Sequence, residues 1–312
     1  MEVGRVARVE ILMATYNGER YLRAQLDSIL AQTDDRWHLT VSDDGSADAT
    51  VAILDEYAAR YPDRITRYRS GQRFGGACGH FLHLMSRCDA PWMLFCDQDD
   101  VWRPDKVSQM LEAFDRAERD GGDGTPLLVF SDLTPVDEAL RPIAESMMAY
   151  QNQHADNLDY RALLMQNVVT GGAMGVNQAL RRLAGDVADE GDILMHDGWL
   201  AAIAARFGRI VYVPRQLSLY RQHGDNSVGA QDVRSAGYVA RMLAAPGRVR
   251  QIMLGKKRQA AAFARIYDAR LTGDDRAFLT GFTRSRSGPL FYWRHRALIH
   301  GFWRLAGMML CG

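Results

Sequence analysis

Along the first 230 residues, apolar positions alternate between two rhythms. Short apolar runs end at polar turns, and the stretches after them repeat apolar residues three and four apart. Val9 to Met13 (VEILM) predicts a buried strand that stops at ATYNGE. Between Tyr21 and Gln32, residues Leu22, Leu26, Ile29 and Leu30 then share one helical face. Trp37 to Ser42 (WHLTVS) predicts a second strand, closed by Asp43-Asp44-Gly45-Ser46, and a helix follows through Val51, Ile53, Leu54 and Tyr57. Ile65 to Tyr68 predicts a third strand. Trp92 to Cys96 (WMLFC) predicts a fourth, closed by Asp97-Gln98-Asp99-Asp100. Strand and helix in turn make the βαβ rhythm of a mostly parallel sheet, and strands apolar on both faces require helices on both sides. Further strands are predicted at Leu127 to Ser131, Ile210 to Pro214 and Leu217 to Gln222. Thr170 to Val176 (TGGAMGV) is a Gly-rich approach to a helix from Gln178, and from about Ala236 the pattern is mainly helical.

Composition adds a division to this picture. At 47% hydrophobic and 24% charged, the 312 residues suit one large α/β domain with a smaller appendage. The net charge of +0 is uneven: residues 231–312 hold 15 Lys and Arg against 4 Asp and Glu, leaving 23 against 34 in residues 1–230. We therefore expect a body over 1–230 able to hold a metal, and a basic, mainly helical extension over 231–312 able to face an anionic surface. A net-negative body argues against nucleic acid as a partner. Cys78, Cys88, Cys96 and Cys311 match no zinc spacing, Met1 to Arg8 is charged, and no apolar run reaches about 18 residues. The expectation is a reduced, cytosolic chain without a membrane span.

The polar clusters carry the chemistry. In open α/β sheets ligands bind at the carboxyl ends of strands, and three clusters sit there: Thr15-Tyr16-Asn17, Asp43-Asp44 and Asp97 to Asp100. Three carboxylates crowded beyond a buried strand repel one another, a conflict that a divalent cation removes. A solvated acidic turn capping the helix near Lys106 is the other reading. Asp43 or Asp44 can accept from a base or ribose, or simply shape a turn with Ser46 or Asp48 as helix cap. Tyr16 can stack on a planar base, while Glu19 suits a helix start. Asp197, beside His196 and Trp199, is either a cap or a general base toward a hydroxyl. Arg221 can pair with phosphate and His223 can ligate a metal, although a lone His is more often structural.

Taken in order, ATYNGERYLRAQLDSILAQT, VSDDGSADAT, FCDQDDVWRPDK, TGGAMGVN, HDGW and YRQHGDNSVG resemble the family 2 glycosyltransferases, from Arg8 to Gly229. The DQDDVW and YRQHG forms are most similar to the bacterial rhamnosyltransferase-like branch, which builds O-antigen and other cell-wall polysaccharides. The resemblance implies an α/β GT-A (nucleotide-diphospho-sugar transferase) fold with a helical C-terminal extension. It implies a nucleotide pocket lined by Thr15, Tyr16, Asn17 and Glu19, with Asp43 on the base and Asp44 near the ribose. Asp97 and Asp99 match the DXD-like pair, Asp99 being the main ligand of Mg²⁺ or Mn²⁺ through the diphosphate. Asp197 matches the catalytic base. Gly171, Gly172, His196 and Trp199 would shape the acceptor side; Arg221 and His223 would close over the diphosphate, His223 touching the metal. His196-Asp197 stands where the family commonly has two acids. The Gln-x-x-Arg-Trp motif of processive synthases is missing, which argues for transfer of one sugar.

The expected activity is inverting transfer of a sugar, dTDP-L-rhamnose being the favoured donor, to an acceptor hydroxyl on a lipid-linked polysaccharide. UDP-hexose or UDP-N-acetylhexosamine transfer is the alternative. A nucleotidyltransferase would need a Gly-rich phosphate loop that ATYNGER lacks; a non-catalytic carbohydrate- or lipid-binding module sits poorly with Asp43, Asp99, Asp197 and Arg221 retained together. In the extension, Phe291, Leu298, Phe302, Leu305 and Met309 fall on one face of a helix from Leu290 to Leu310, opposite Arg296, His300 and Arg304. With the basic cluster Arg248, Arg250, Lys256, Lys257 and Arg258, this suggests peripheral contact with anionic lipid at the inner face of the cell membrane. A helical hairpin packed on the body or on a partner is the competing expectation.

Overall fold

A computed structural model of the chain describes residues 7–121, 124–185, 190–224, 246–284 and 288–311. The first strands form where the apolar runs place them: β1 (Val9–Thr15), β2 (Trp37–Asp43), β3 (Ile65–Tyr68) and β4 (Trp92–Cys96), with helices α1 (Leu22–Leu30), α2 (Thr50–Arg60) and α3 (Ala77–Ser86) between them. Then come β5 (Val101–Trp102), α4 (Lys106–Gly121), β6 (Leu127–Val136), two short helices α5 (Met147–Tyr150) and α6 (Tyr160–Met165), β7 (Met174–Asn177), α7 (Gln178–Ala184), α8 (His196–Phe207) and β8 (Arg209–Arg221). The extension contributes α9 (Pro246–Ile266), α10 (Gly273–Thr283), α11 (Gly288–Arg294) and α12 (Phe302–Cys311).

The sheet runs β3-β2-β1-β4-β7-β6-β8-β5. Its first four strands are parallel, as expected. Beyond them it is mixed, because β7 runs against both neighbours and β5 against β8. The two strands expected at 210–214 and 217–222 are one: β8 follows β6 in parallel through register shifts at Ser131/Asp132 and Asp132/Thr134. Asp132 holds that irregularity, accepting from Leu133 N, Met148 N and Gln216 Nε2.

Period-two alternation sorts the core into two layers. Val9, Ile11, Met13, Trp92 and Leu94 face one side, with α1, α2 and α4 residues such as Leu26, Leu54 and Phe114. Leu12, Met93 and Phe95 face the other, and there the layer continues from Phe81 and Trp199 into Phe263, Phe278, Phe282 and Tyr292 of the extension. An ion network reinforces this junction. Asp275 accepts from Arg206 Nη2 at 2.6 Å and from the Tyr160 hydroxyl at 2.7 Å, with Arg161 at 3.4 Å. Burial pushes its pKa up, but the bonds from Arg206, Thr272 and Tyr160 outweigh that and hold the carboxyl well below its usual range.

The single helix expected from Leu290 to Leu310 is broken. A 3-10 turn (Arg296–Leu298) and Gly301, at φ 92°, separate α11 from α12. Phe291, Leu298, Leu305 and Met309 turn inward onto the core, which favours packing on the body for that face; Phe302 is 73% exposed. Lys257 is buried too, its Nζ donating to Arg284 O. The onset near Ala236, residues 225–229 and the side chains of Arg248 and Leu310 lie outside the described residues.

Candidate active site

The polar clusters after β1, β2 and β4 meet in one cleft of about 1200 Å³. Bonds between loops far apart in sequence stitch its floor together. Tyr16 N donates to Gln98 Oε1, and Gln98 Nε2 donates back to Tyr16 O, both at 2.9 Å, so the loops after β1 and β4 are clasped through one amide. Gly18 is needed there, because a Cβ would collide with Gln98. Asn17 N donates to Ser46 Oγ and its side chain accepts from Ala47 N, tying the first loop to the second.

The structure separates the expected donor residues into those that line the cleft and those that build it. Thr15, Tyr16, Asn17, Asp44, Asp97 and Asp99 line it. Asp44 is buried and accepts from Phe74 N at 2.6 Å and Gly75 N at 2.9 Å. Asp43 does not line it: its carboxylate is occupied by Thr15 Oγ1, Gly45 N and both the amide and hydroxyl of Ser46. Glu19 is likewise turned away, accepting from Ala49 N before α2. Both act as loop organisers, the turn reading left open by their sequence. Arg73 and His80 line the cleft instead, and no motif in the sequence singled them out.

The acidic loop is more elaborate than its spelling suggests. Asp99 Oδ2 lies 2.7 Å from His223 Nε2 across the cleft edge, and the His223 ring lies 4.9 Å from that of Tyr21. Asp97 sits under Gly172, where a Cβ would strike its carboxylate. Burial, then Asp99 and Asp197, push Asp97 up to about 7. Asp100 is fully buried; it accepts from Arg221 N at 3.1 Å, and its second oxygen has no partner. Beneath them Lys106 is fully buried, donating to Gly172 O at 2.7 Å and Ser218 Oγ at 2.8 Å, 3.9 Å from the Trp102 ring. Its pKa falls to about 8 because burial outweighs the carboxylates nearby. Lys106 is the internal counter-charge to the acidic loop, and the sequence reading took it only for the start of a helix.

Among the described residues, no three His, Cys, Asp or Glu side chains close around one point. The donors still fit a Mg²⁺ or Mn²⁺ ion, which uses one or two protein ligands plus substrate phosphates and water. Asp99 and His223 supply two, and the second oxygen of Asp100 behind them has no hydrogen-bond partner.

Arg221 is not on the cleft wall. It is buried, its Nε donating to Asp99 O and Nη1 to Glu138 O, with the guanidinium 4.5 Å from the Tyr21 ring. It holds the acidic loop in place from behind, because those carbonyls claim its donors. Trp199 is also absent from the wall, being fully buried against Phe263 and Tyr267.

Asp197, at the first turn of α8, faces the same cleft as Asp99. Its Oδ1 accepts from Gly198 N at 2.5 Å. Burial pushes it up to about 6, against the opposing bonds from Gly198 and Gly171. His196 lines the cleft between Phe81 and Phe95 with both ring nitrogens unpaired, and burial lowers it to about 3, so it stays neutral.

Comparison with known proteins gives the family of the chain. The model of "Glycosyl transferase family 2" matches residues 10–186. A Shigella flexneri protein named dTDP-rhamnosyl transferase RfbG is 28% identical over 242 residues, 72% of this chain and 76% of that one. An uncharacterized Mycobacterium tuberculosis protein is 28% identical over 218 residues, 69% of this chain but 59% of its own length. Among solved structures, S. aureus TarS 1-349 superposes with a TM-score of 0.56 at 13% identity, covering 97% of this chain and 89% of that one. The Pyrobaculum calidifontis mannosyltransferase PcManGT, in complex with GDP-Man and Mn²⁺, gives 0.52 at 17% identity, covering 97% and 78%.

Proposed function

The chain belongs to glycosyl transferase family 2 and is a glycosyltransferase of GT-A fold; from that premise we propose that it transfers one sugar, with inversion, from a nucleoside-diphosphate donor to an acceptor hydroxyl of a cell-surface polysaccharide. One observation carries the reading: Asp99 with His223 at one end, and Asp197 further along, open on the same cleft. The preferred donor is dTDP-L-rhamnose, supported by the name of the Shigella flexneri relative. A UDP-linked N-acetylhexosamine is the second reading, favoured by a TarS complex with UDP-GlcNAc.

In this mechanism Thr15, Tyr16, Asn17 and Asp44 hold the nucleotide, Tyr16 offering an exposed ring to the base. Asp99 and His223 would hold Mg²⁺ or Mn²⁺, which when bound offsets charge gathering on the leaving diphosphate. The acceptor oxygen attacks the anomeric carbon from the Asp197 side. Asp197 takes the hydroxyl proton as the bond to the diphosphate oxygen breaks, and that oxygen keeps the electron pair. Lys106 and Arg221 keep the acidic loop in place throughout. No helix among the described residues is long and apolar enough to cross a membrane. We place the chain at the inner membrane face as a peripheral protein; Leu290, Trp293, Phe302 and Trp303, exposed beside Arg294 and Arg296, support that placement. The test is release of nucleoside diphosphate from dTDP-rhamnose, UDP-glucose and UDP-N-acetylglucosamine with Mn²⁺ and with EDTA. We expect dTDP-rhamnose to be turned over and EDTA to abolish it; no turnover of any donor refutes the proposal.

A further inference from the structure

One buried polar side chain in the cleft has no task in the transfer step. His196 precedes Asp197 in the first turn of α8, lines the cleft and is 2% exposed. Two phenyl rings fix its plane: the Phe81 centroid lies 4.5 Å away at a tilt of 35°, and the Phe95 centroid 5.2 Å away at 36°. Gly171 fixes its edge. A Cβ there would fall 2.8 Å from His196 Nε2 and 3.8 Å from Asp197 Oδ2, so both polar atoms border the same glycine. At Gly172 a Cβ would strike Asp97, and Asp197 is near enough to help raise the Asp97 pKa. The two glycines thus gather His196, Asp197 and Asp97 around one stretch of the cleft.

Among the described residues neither ring nitrogen of His196 has a hydrogen-bond partner. Burial keeps the ring neutral, so one nitrogen donates and the other accepts. Between two phenyl rings a purely structural role is better served by another apolar side chain, because unmade bonds of a buried polar group are costly. A saccharide hydroxyl matches the vacant pair, since it donates and accepts at once. In the proposed transfer the sugar in flight lies between the diphosphate, held at Asp99, and Asp197. His196 meets that sugar from the acceptor side.

We infer that His196 hydrogen-bonds a hydroxyl of the transferred sugar and thereby selects among donor sugars. A sugar that lacks this hydroxyl, or carries it on the other ring face, leaves the imidazole nitrogens unpaired and is disfavoured for that reason. The inference rests on the transferase reading of the same cleft and assigns the residue that reads its sugar.

The test uses the full chain with Mn²⁺ and compares a sugar donor with its bare nucleotide. The donor is whichever of dTDP-L-rhamnose, UDP-glucose and UDP-N-acetylglucosamine the native chain turns over, and the control is dTDP or UDP to match. Titrations by calorimetry are run on Asp197→Asn chains, so that the donor survives the measurement. In that background His196→Phe should weaken the sugar donor about tenfold while the nucleoside diphosphate stays within about twofold. It should also narrow the preference among the three donors. His196→Gln keeps one donor and one acceptor at similar reach and should recover most of the lost affinity. A melting curve for each variant checks the fold, and an apolar ring in place of an unpartnered polar one should not lower it. Unchanged donor affinity in the Phe variant would overturn the inference. So would equal weakening of donor and diphosphate, the mark of a merely structural role, or a Gln variant as weak as the Phe one. Donor turnover by the native chain decides the transferase reading by itself.

Discussion

The two ends of the cleft are built on opposite plans. At the proposed donor end the loop side chains are tied to one another, Asp43 by Thr15 and Ser46, Asp44 by Phe74 and Gly75, Gln98 by Tyr16, while Asp100 and His80 each keep one buried atom without a partner. At the proposed acceptor end, His196 and Gln166 keep buried nitrogens without partners, and the charge of Arg304 adds to burial in lowering the pKa of Lys256. A site whose own bonds are closed is rigid before its ligand arrives. A site with open bonds gains most of its order, and its selectivity, from what it binds. The donor end therefore suits a ligand shared across a family, and the acceptor end one particular to this chain.

The largest effect should fall between the two ends. Asp197→Asn is expected to cut transfer about 10²–10⁴-fold while nucleotide affinity, measured by calorimetry, stays within about twofold. The same variant should melt higher than the native chain at pH 7. Burial raises the native Asp197 pKa to about 6 against roughly 3.9 unfolded, so the native state holds that proton more tightly and loses stability as pH climbs from 4 to 6. A neutral isostere escapes that cost, and a lower melting point would remove the strain we assign to this carboxylate. Next, Lys106→Met should lower stability in urea by about 3 kcal/mol, because it strands buried carboxylates without their cation. A change below about 1 kcal/mol would mean that the donor end is not charge-balanced from within. The acid limb is smaller at any one pH: transfer should fall about tenfold per unit below pH 6 as Asp197 becomes protonated. A flat profile down to pH 5 would assign the base elsewhere. Smallest is Glu19→Ala, expected to cost about 1 kcal/mol or less of stability through a lost helix-start bond and to leave nucleotide affinity unchanged. A large loss of affinity would return Glu19 to the pocket.

This contrast also explains what could be read from the chain alone. β1 to β4 follow contiguous apolar runs, and the donor clusters sit where those strands stop, so local pattern sufficed for Thr15, Asp44 and Asp99. Asp43, Glu19 and Arg221 have the residue types of ligands, but their hydrogen bonds are spent on backbone, which no spacing reveals. Lys106 was hidden by its neighbours, since a lysine after Pro104 and Asp105 reads as an exposed helix start. The long β8 was split because Pro214 and Arg215 interrupt its apolar run. The rest of the cleft draws Gln166, Asp197, Lys256 and Arg304 from four distant segments, and only packing brings them together. The same holds for the extension: its apolar face was legible, but not that Phe291, Leu298, Leu305 and Met309 turn onto the core while Phe302 stays exposed.

The salt link from Arg206 to Asp275 carries a consequence for how such enzymes diversify. Asp197 lies in the first turn of the helix whose last turn holds Arg206, so the proposed base is fastened at the far end of its helix to the C-terminal helices. Exchanging that C-terminal segment between relatives would replace one wall of the cleft and, in one stroke, loosen the helix that carries the proposed base. A change of cleft wall is thus easier to reach by point changes along it than by recombination near residue 230.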